Sequence, residues 1–251
     1  MITDFPLFLF TVLVGLAAGV YVAAAVFPAK ASSGLRPWLL PLVACALVVV
    51  GGLAAFAHLG RPALALNMLG NLASPLMLEG VTAGCLAVVA VVDLVLCVKR
   101  PAPLTAVRWV GAVAGLACLA AMTYAYATSY GNGAWISAPT YGLFLAGGLA
   151  SGTALWAVLG NRGGAVALAA GVLNCLFAVV LVWQAAVFAG LGVAGFEAIA
   201  AGAVLAVAAA VVAFASVRAK GGDRGYAIAL AVLAFAALAV SRYGFYMAGI
   251  I

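Results

Sequence analysis

The chain has 251 residues, of which 69% are hydrophobic and 6% are charged, and its formal net charge is +6. A soluble domain carries about 25% charged residues, so this composition excludes a water-soluble globular protein. We instead expect an all-α integral membrane protein with a single transmembrane domain over residues 1–251.

Eight apolar stretches are long enough to cross a bilayer. A spanning helix needs about 20 mostly apolar residues, because unpaired backbone amides are costly in lipid. The N-terminus lacks the positively charged region of a signal peptide, so we expect the first stretch to be retained as helix 1. In chain order, the predicted helices cover about residues 5–28, 37–59, 75–98, 107–129, 139–159, 165–189, 195–217 and 226–249.

The positive charges predict the orientation of the bundle. With eight spans, both termini and loops 2–3, 4–5 and 6–7 lie on one side of the membrane. Of the basic residues, only Arg61 and Arg242 belong to that side. Because basic residues stay in the cytoplasm, we predict both termini on the outer (periplasmic) side of a prokaryotic inner membrane. The net charge then follows from topology and indicates no nucleic-acid partner. The other side holds Lys30, Arg36, Lys99, Arg100, Arg108, Arg162, Arg218, Lys220 and Arg224.

Cysteine and histidine content limits the cofactors of the chain. The five cysteines are well separated within the predicted helices and form no C-x-x-C pair of the kind that binds zinc or an iron–sulfur cluster. His58 is the only histidine, whereas a bis-histidine haem needs two; a haem with histidine and methionine ligands is the remaining alternative. We therefore predict no metal, haem or iron–sulfur cluster in this chain.

Polar residues at membrane depth are costly and are therefore functional candidates. His58 falls at the outer end of helix 2, and Glu79 falls about one turn inside the outer start of helix 3. These helices are antiparallel and joined by a short segment, so we expect the imidazole and the carboxylate to be neighbours that accept and relay protons. The alternative for His58 is an interfacial residue at a helix end.

Other polar residues fall at similar depth. Arg242 lies about 24 Å along helix 8, near the outer interface, where the alternative is a side chain that snorkels to the headgroups. Gln184 lies near the outer end of helix 6. Glu197 falls in the first turn of helix 7, where the helix dipole alone favours a carboxylate.

Asp93 is the acidic residue near the inner end of helix 3. Lys99 and Arg100 follow it closely in the chain. We expect Asp93 to form a local ion pair with one of them rather than to carry protons.

Aromatic side chains also gather towards the predicted outer ends. An aromatic belt at the interface explains much of this pattern. A flat hydrophobic ligand that enters from lipid would favour the same surroundings. The residues are Tyr124, Tyr126, Tyr130, Tyr141, Tyr243, Tyr246, Trp135 and Trp183.

The segment from His58 to Glu79 contains an HLG-x-P-x-x-A-x-N-x-L pattern, then Ser-x-Leu and a glutamate at the start of the next helix. It resembles the signature of the membrane anchor subunits of dimethyl sulfoxide reductase, the DmsC family, which likewise have eight helices with both ends outside. The matching residues are His58, Leu59, Gly60, Pro62, Ala65, Asn67, Leu69, Ser74, Leu76 and Glu79.

Weaker matches support the resemblance, and some departures qualify it. The interval from Asn71 to Ser74 is slightly altered, residues 241–244 replace the family's usual Gly-Arg-Gly, and the outer loops are shorter. These departures leave open whether the catalytic partner is a dimethyl sulfoxide reductase or a different enzyme. The supporting matches are Val182, Trp183 and Gln184, residues 135–139 with Phe144, and Arg242 with Phe245 and Tyr246.

The resemblance implies a menaquinol-oxidising anchor. Menaquinol would bind near the outer face without haem and pass electrons to an iron–sulfur subunit, which feeds a molybdopterin catalytic subunit. His58 would hydrogen-bond a quinol oxygen and accept its proton, since imidazole exchanges protons near neutrality. Glu79 would position His58 or carry the proton outward. Arg61, Gln184 and Arg242 would contact the head group or stabilise a quinol anion.

Three alternatives remain open. A related anchor of the polysulfide or nitrite reductase type shares the quinone chemistry but has a different partner. A small transporter would need discontinuous helices and polar groups near the midplane, where this sequence is nearly free of charge. A purely structural anchor would not need His58 or Glu79.

Overall fold

The computed structural model describes residues 4–29, 36–61, 65, 67, 70–71, 73–100, 103–219 and 222–249. These residues form eight helices, each long and apolar enough to span a membrane, and no strand. The predicted all-α, multi-pass fold is confirmed, with helix ends one or two residues from those expected. The helices are α1 (Phe5–Val26), α2 (Leu39–His58), α3 (Pro75–Lys99), α4 (Thr105–Ala127), α5 (Ala138–Leu159), α6 (Gly164–Leu191), α7 (Phe196–Arg218) and α8 (Arg224–Met247).

Local sequence signals set several helix boundaries. Helices α1, α3 and α5 carry a proline in the first turn, where the missing amide hydrogen leaves no helix bond unmade. The side chain of Asp223 caps α8 by accepting a hydrogen bond of 2.6 Å from the amide of Gly225. Helix α6 ends at Leu191 and is capped by Gly192, whose φ of 67° is a left-handed conformation that suits glycine.

Successive helices run up and down, so the bundle has two ends. We call the end with both termini the terminal end and the other the opposite end. At the terminal end, the indole of Trp135 donates to the carbonyl of Phe245 at 3.0 Å. At the opposite end, the indole of Trp156 donates to the carbonyl of Phe27 at 2.8 Å. Which side of the membrane each end faces stays a prediction from the charges.

Helix α1 is the central element of the bundle. It is the most buried of the eight spans and contacts α2, α4, α5 and α8. Gly15 and Gly19 face Gly148 and Gly152 of α5, and a Cβ added at Gly19 would overlap the carbonyl oxygen of Gly148. Such small-residue pairs let helix backbones approach closely in a membrane, where van der Waals packing drives association.

Asp93 forms a buried ion pair at the opposite end, but not with the expected partners. Its Oδ2 atom lies 3.0 Å from Nε of Arg108 and accepts a hydrogen bond of 3.1 Å from the hydroxyl of Tyr21. The expected pairing with Lys99 or Arg100 is wrong, because those residues are exposed at the end of α3 while Asp93 lies on its buried face. The pair therefore joins α3 to α4 and α1.

Candidate functional site

A groove of about 760 Å³ lies between α1, α2 and α3 in the terminal half of the bundle. Leu7 and Phe10 line it from α1, and apolar residues and glycines of α2 and α3 form most of the remaining wall. His58 and Glu79 are the polar side chains among the described residues that line it. The groove is therefore an apolar site with an imidazole and a carboxyl group.

The start of α3 determines where Glu79 points. Ser74 caps the helix by accepting a hydrogen bond of 3.2 Å from the amide of Met77, and Pro75 follows as the first helical residue. Glu79 then falls on the face of α3 that packs into the bundle, since residues three and four positions apart share a face. The buried residues of this face are Glu79, Ala83, Leu86, Ala90, Asp93 and Cys97.

Glu79 is almost completely buried and incompletely bonded. Its side chain is 3% exposed, and its Oε1 atom has no hydrogen-bond partner among the residues that the structure describes. A buried polar atom without a partner costs about 1–3 kcal/mol and is rare in folded proteins. This oxygen is therefore available to a partner outside the described part of the chain.

His58 reaches the groove from the last residue of α2. The next residue, Leu59, leaves the helix with extended backbone, and its amide bonds the carbonyl of Phe56 at 3.1 Å. His58 is exposed on the terminal end of this helix. The structure thus brings His58 and Glu79 to one groove from two consecutive helices, as the short connection between them predicts.

The rim of the groove faces the outside of the bundle. Leu53 is 66% exposed and Phe56 is 54% exposed, and both line the groove. In a membrane these side chains contact lipid, because they lie on a spanning helix. An apolar molecule can therefore enter from the bilayer without crossing water.

Three glycines keep the groove open. A Cβ added at Gly52, Gly80 or Gly84 would meet no atom within 4 Å, and all three line the groove. Glycine costs about 1 kcal/mol relative to alanine inside a helix. Sequence reasoning missed these residues, although two glycines four positions apart on α3 are a visible signal of a recessed helix face.

Arg242 lies inside the bundle and outside the groove. Its side chain is 1% exposed, its Nη2 atom donates to the carbonyl of Leu143 at 3.3 Å, and its guanidinium carbon lies 3.6 Å from the centre of the Phe144 ring. Its Nε and Nη1 atoms have no hydrogen-bond partner within the described ranges. The side chain does not snorkel to the headgroups, since it is enclosed by α5 and α8.

Gln184 is also buried away from the groove. Its Oε1 atom accepts a hydrogen bond of 3.2 Å from Thr140, and its Nε2 atom donates to Ser137 at 3.2 Å. These bonds join α6 to the start of α5. The structure therefore gives Gln184 a role in helix packing and does not place it with His58 and Glu79.

The connection between α2 and α3 is described in part. Arg61 is exposed just beyond the end of α2 and is not among the described residues that line the groove, whereas Ala65 lines it. Pro62 and Leu69 of the matching pattern lie outside the described residues. Glu197 is exposed in the first turn of α7, where the helix dipole favours it.

Part of the expected aromatic belt is a buried cluster. The Tyr126 ring stacks on Phe144 at 4.7 Å and meets Tyr246 edge to face at 5.6 Å, while Trp135 stacks on Phe245 at 5.3 Å. All five side chains are buried, because the loop between α4 and α5 folds back over the end of α8. By contrast, Tyr124, Tyr130, Tyr141 and Tyr243 are exposed, in keeping with a belt.

The described residues contain no group of three or more His, Cys, Asp or Glu side chains that would hold a metal ion. In comparisons with known proteins, the chain matches no family model and no curated protein. The function must therefore be inferred from the groove, from His58 and Glu79, and from the sequence pattern of residues 58–79.

Proposed function

We propose that this chain is the membrane anchor and menaquinol-oxidising subunit of a multi-subunit molybdopterin oxidoreductase. In this proposal, menaquinol binds in the groove and its electrons pass to an iron–sulfur subunit on the outer face. The observation that carries the proposal is an apolar groove, open to lipid, in which His58 lies with the buried carboxyl group of Glu79, whose Oε1 atom has no hydrogen-bond partner in the described part of the chain.

The groove suits a quinol in size and in lining. Its volume of about 760 Å³ falls within the range of about 300–1,000 Å³ that is typical of small-molecule sites. The quinone ring is flat and its tail is apolar, so an apolar wall with few polar groups matches it. The open positions at Gly52, Gly80 and Gly84 leave room for the ring system.

The two polar side chains suit the handling of protons. Menaquinol supplies two electrons and two protons when it is oxidised. The His58 imidazole accepts a hydrogen bond and a proton from a hydroxyl group in the groove, as a general base does. Glu79 positions His58 or takes the proton onward. His58 lies at the terminal end, so the protons leave at that end.

The assignment of partners rests on the resemblance of residues 58–79 to the DmsC family. In that family the electrons go to an iron–sulfur subunit and then to a molybdopterin subunit. The groove lies in the terminal half of the bundle, where such a partner would dock under the predicted orientation. The shorter outer loops and the altered residues 241–244 favour a second candidate, an anchor of the polysulfide or nitrite reductase type, which shares the quinone chemistry and differs in its partner and in whether protons move across the membrane.

Purification of the tagged chain from its native membranes tests this proposal. We expect iron and molybdenum to co-purify in fixed ratio to the chain, and a soluble menaquinol analogue to reduce the co-purified iron–sulfur clusters. The control is the same preparation from membranes that lack the tag. Absence of both metals, or clusters that the analogue does not reduce, would contradict the proposal.

A further inference from the structure

We infer that the quinol lies lengthwise in the groove, with its apolar tail bound against Val48, Val49 and Ala87 near the middle of the membrane. This inference rests on the proposed function and deepens it, because it names where the tail of the substrate binds. It makes these three residues contacts that favour a tailed, lipid-soluble quinol over a tailless one.

The groove extends along the helix axes from the terminal end to the middle of the bundle. On α2 its lining runs from His58 back to Val48, ten positions that cover about 15 Å of helix. On α3 it runs from Leu76 to Ala87, eleven positions that cover about 16 Å. Val48 and Ala87 lie half-way along their helices, and both helices are candidate membrane spans. The groove therefore ends near the bilayer midplane.

The polar side chains lie at one end of the groove. His58 and Glu79 are near the terminal end, whereas the lining that the structure describes towards the midplane is Val48 and Val49 on α2 and Ala87 on α3. We call these three residues the midplane part of the groove. A polar group placed there would meet no polar side chain of the described lining, and burial without a hydrogen bond is costly. A ligand with one polar and one apolar end therefore has one favourable direction.

The head group of a quinol fills only the first part of this length. Gly52 and Gly84 lie six and five positions from His58 and Glu79, which corresponds to about 8–9 Å along the helix axes. A flat two-ring head group that bonds His58 or Glu79 is of similar length. The midplane part lies beyond these glycines, so the tail is the part of the ligand that reaches it.

The midplane part has a protein wall and a side that is open to lipid. Val48 is 6% exposed and Ala87 is half-buried, whereas Val49 is 58% exposed. A tail can therefore enter sideways from the bilayer and pack against α2 and α3. Its remaining length can return to lipid past Val49.

A phospholipid acyl chain is the competing occupant, because it is apolar as well. A phospholipid that lay along the groove would place its phosphate group near the terminal end. The described lining contains no lysine or arginine side chain to bind a phosphate there. It contains an imidazole and a carboxyl group, which suit the hydroxyl group of a quinol better than an anion.

The tail gains little from the hydrophobic effect when it enters the groove, since lipid is as apolar as the protein wall. The gain comes from van der Waals contacts, which are individually weak and collectively significant. We therefore expect a moderate preference for a tailed ligand. Affinities must be expressed per mole fraction of ligand in the membrane, so that stronger partitioning of the tailed ligand is not counted as binding.

Photolabelling of the purified protein in nanodiscs locates the tail directly. The probe is a menaquinone analogue with a diazirine at the end of a short isoprenoid tail, and labelled peptides are identified by mass spectrometry. We expect label on α2 and α3 at the midplane part, and loss of that label when excess menaquinone analogue without the diazirine is added. The control probe is a phospholipid with a diazirine on its acyl chain. Label spread over the lipid-facing surface without competition, or competition-sensitive label from the phospholipid probe alone, would overturn the inference.

A comparison of two ligands measures the contribution of the midplane part. The ligands are the short-tailed analogue without the diazirine and its tailless 2-methylnaphthoquinone head group. We expect Ala87→Leu to lower the affinity for the tailed analogue about fivefold or more and to leave the affinity for the tailless one within about twofold. The matched control is Ala46→Leu, at an exposed position of α2 at similar depth that is not in the described lining of the groove. Equal changes for the two ligands in Ala87→Leu would overturn the inference.

The proposed function and the inference can fail separately. If neither ligand binds, or if His58→Ala leaves the binding of both unchanged, the proposed function fails and the inference fails with it. If both ligands bind in a manner that depends on His58, while Ala87→Leu does not discriminate between them, the proposed function stands and the tail lies elsewhere.

Discussion

Glu79 and Asp93 lie on the same buried face of α3, about 21 Å apart along the helix axis, yet of the two only Asp93 has an ion-pair partner within 4 Å among the described residues. Asp93 is bonded to Arg108, Tyr21 and Cys97, so its charge is used inside the protein. Glu79 lines the groove, and its Oε1 atom has no hydrogen-bond partner in the part of the chain that the structure describes. The carboxyl group of Asp93 thus has a structural role at one end of α3, whereas the carboxyl group of Glu79 is available to a ligand at the other end.

Asp93→Asn should destabilise the bundle and leave the groove intact. Removal of the carboxylate strands the buried charge of Arg108, which typically costs about 3–5 kcal/mol. We expect a clearly lower midpoint of thermal unfolding and unchanged binding of a quinone analogue by the protein that remains folded. The matched control is Asp4→Asn, since the Asp4 side chain caps nothing. Loss of analogue binding in folded Asp93→Asn would show that the opposite end contributes to the site.

Gly84→Leu should block the groove without removing any polar group. A side chain at this position enters open space that the groove occupies, and leucine favours the helix by about 0.8 kcal/mol over glycine. We expect quinone-analogue affinity to fall about tenfold or more, with no loss of thermal stability. The control is Gly190→Leu, also open but outside the groove. Unchanged affinity in Gly84→Leu would place the ligand elsewhere.

Gln184→Ala should weaken the contact between α5 and α6. The variant removes the acceptor of Thr140 and the donor to Ser137, at a cost of about 1–2 kcal/mol. Thr140→Val breaks the same contact from the other side and should have a similar effect on thermal stability. Quinone-analogue affinity should stay within about twofold in both variants. A large loss of affinity in Gln184→Ala alone would mean that Gln184 reaches the ligand.

Labelling of single cysteines tests the predicted orientation. Tyr130 is 93% exposed between α4 and α5 at the terminal end, and Thr105 is exposed at the start of α4 at the opposite end. We expect a membrane-impermeant maleimide added to intact spheroplasts to label Tyr130→Cys at once and Thr105→Cys only after permeabilisation. The reverse pattern would put the termini in the cytoplasm and contradict the outer location of the partner.

The eight helices and the His58–Glu79 neighbourhood could be predicted from the sequence. Helix existence follows from the length of apolar runs, and the short connection between α2 and α3 makes His58 and Glu79 neighbours. These features depend on local sequence, because a bilayer requires each spanning segment to satisfy its own backbone hydrogen bonds as a long apolar helix.

Side-chain partners between distant helices could not be predicted. The sequence pairs Asp93 with Lys99 or Arg100 by proximity, whereas the fold pairs it with Arg108. Depth in the membrane alone groups Gln184 with His58 and Glu79. The rotation of α6 about its axis, however, directs the Gln184 side chain towards α5. Depth fixes position along a helix axis and not the direction in which a side chain points, and direction decides which residues line the groove.

Turnover of site variants in assembled membranes tests the central claim most directly. Menaquinol-driven reduction of the terminal acceptor is measured for His58→Ala, Glu79→Gln and the control Glu197→Gln, which alters an exposed carboxylate at the same end. We predict that both site variants lose about a hundredfold in turnover at normal assembly, as loss of a proton acceptor typically does, and that the control does not. Wild-type turnover in normally assembled His58→Ala and Glu79→Gln would contradict the assignment of the groove as the quinol site.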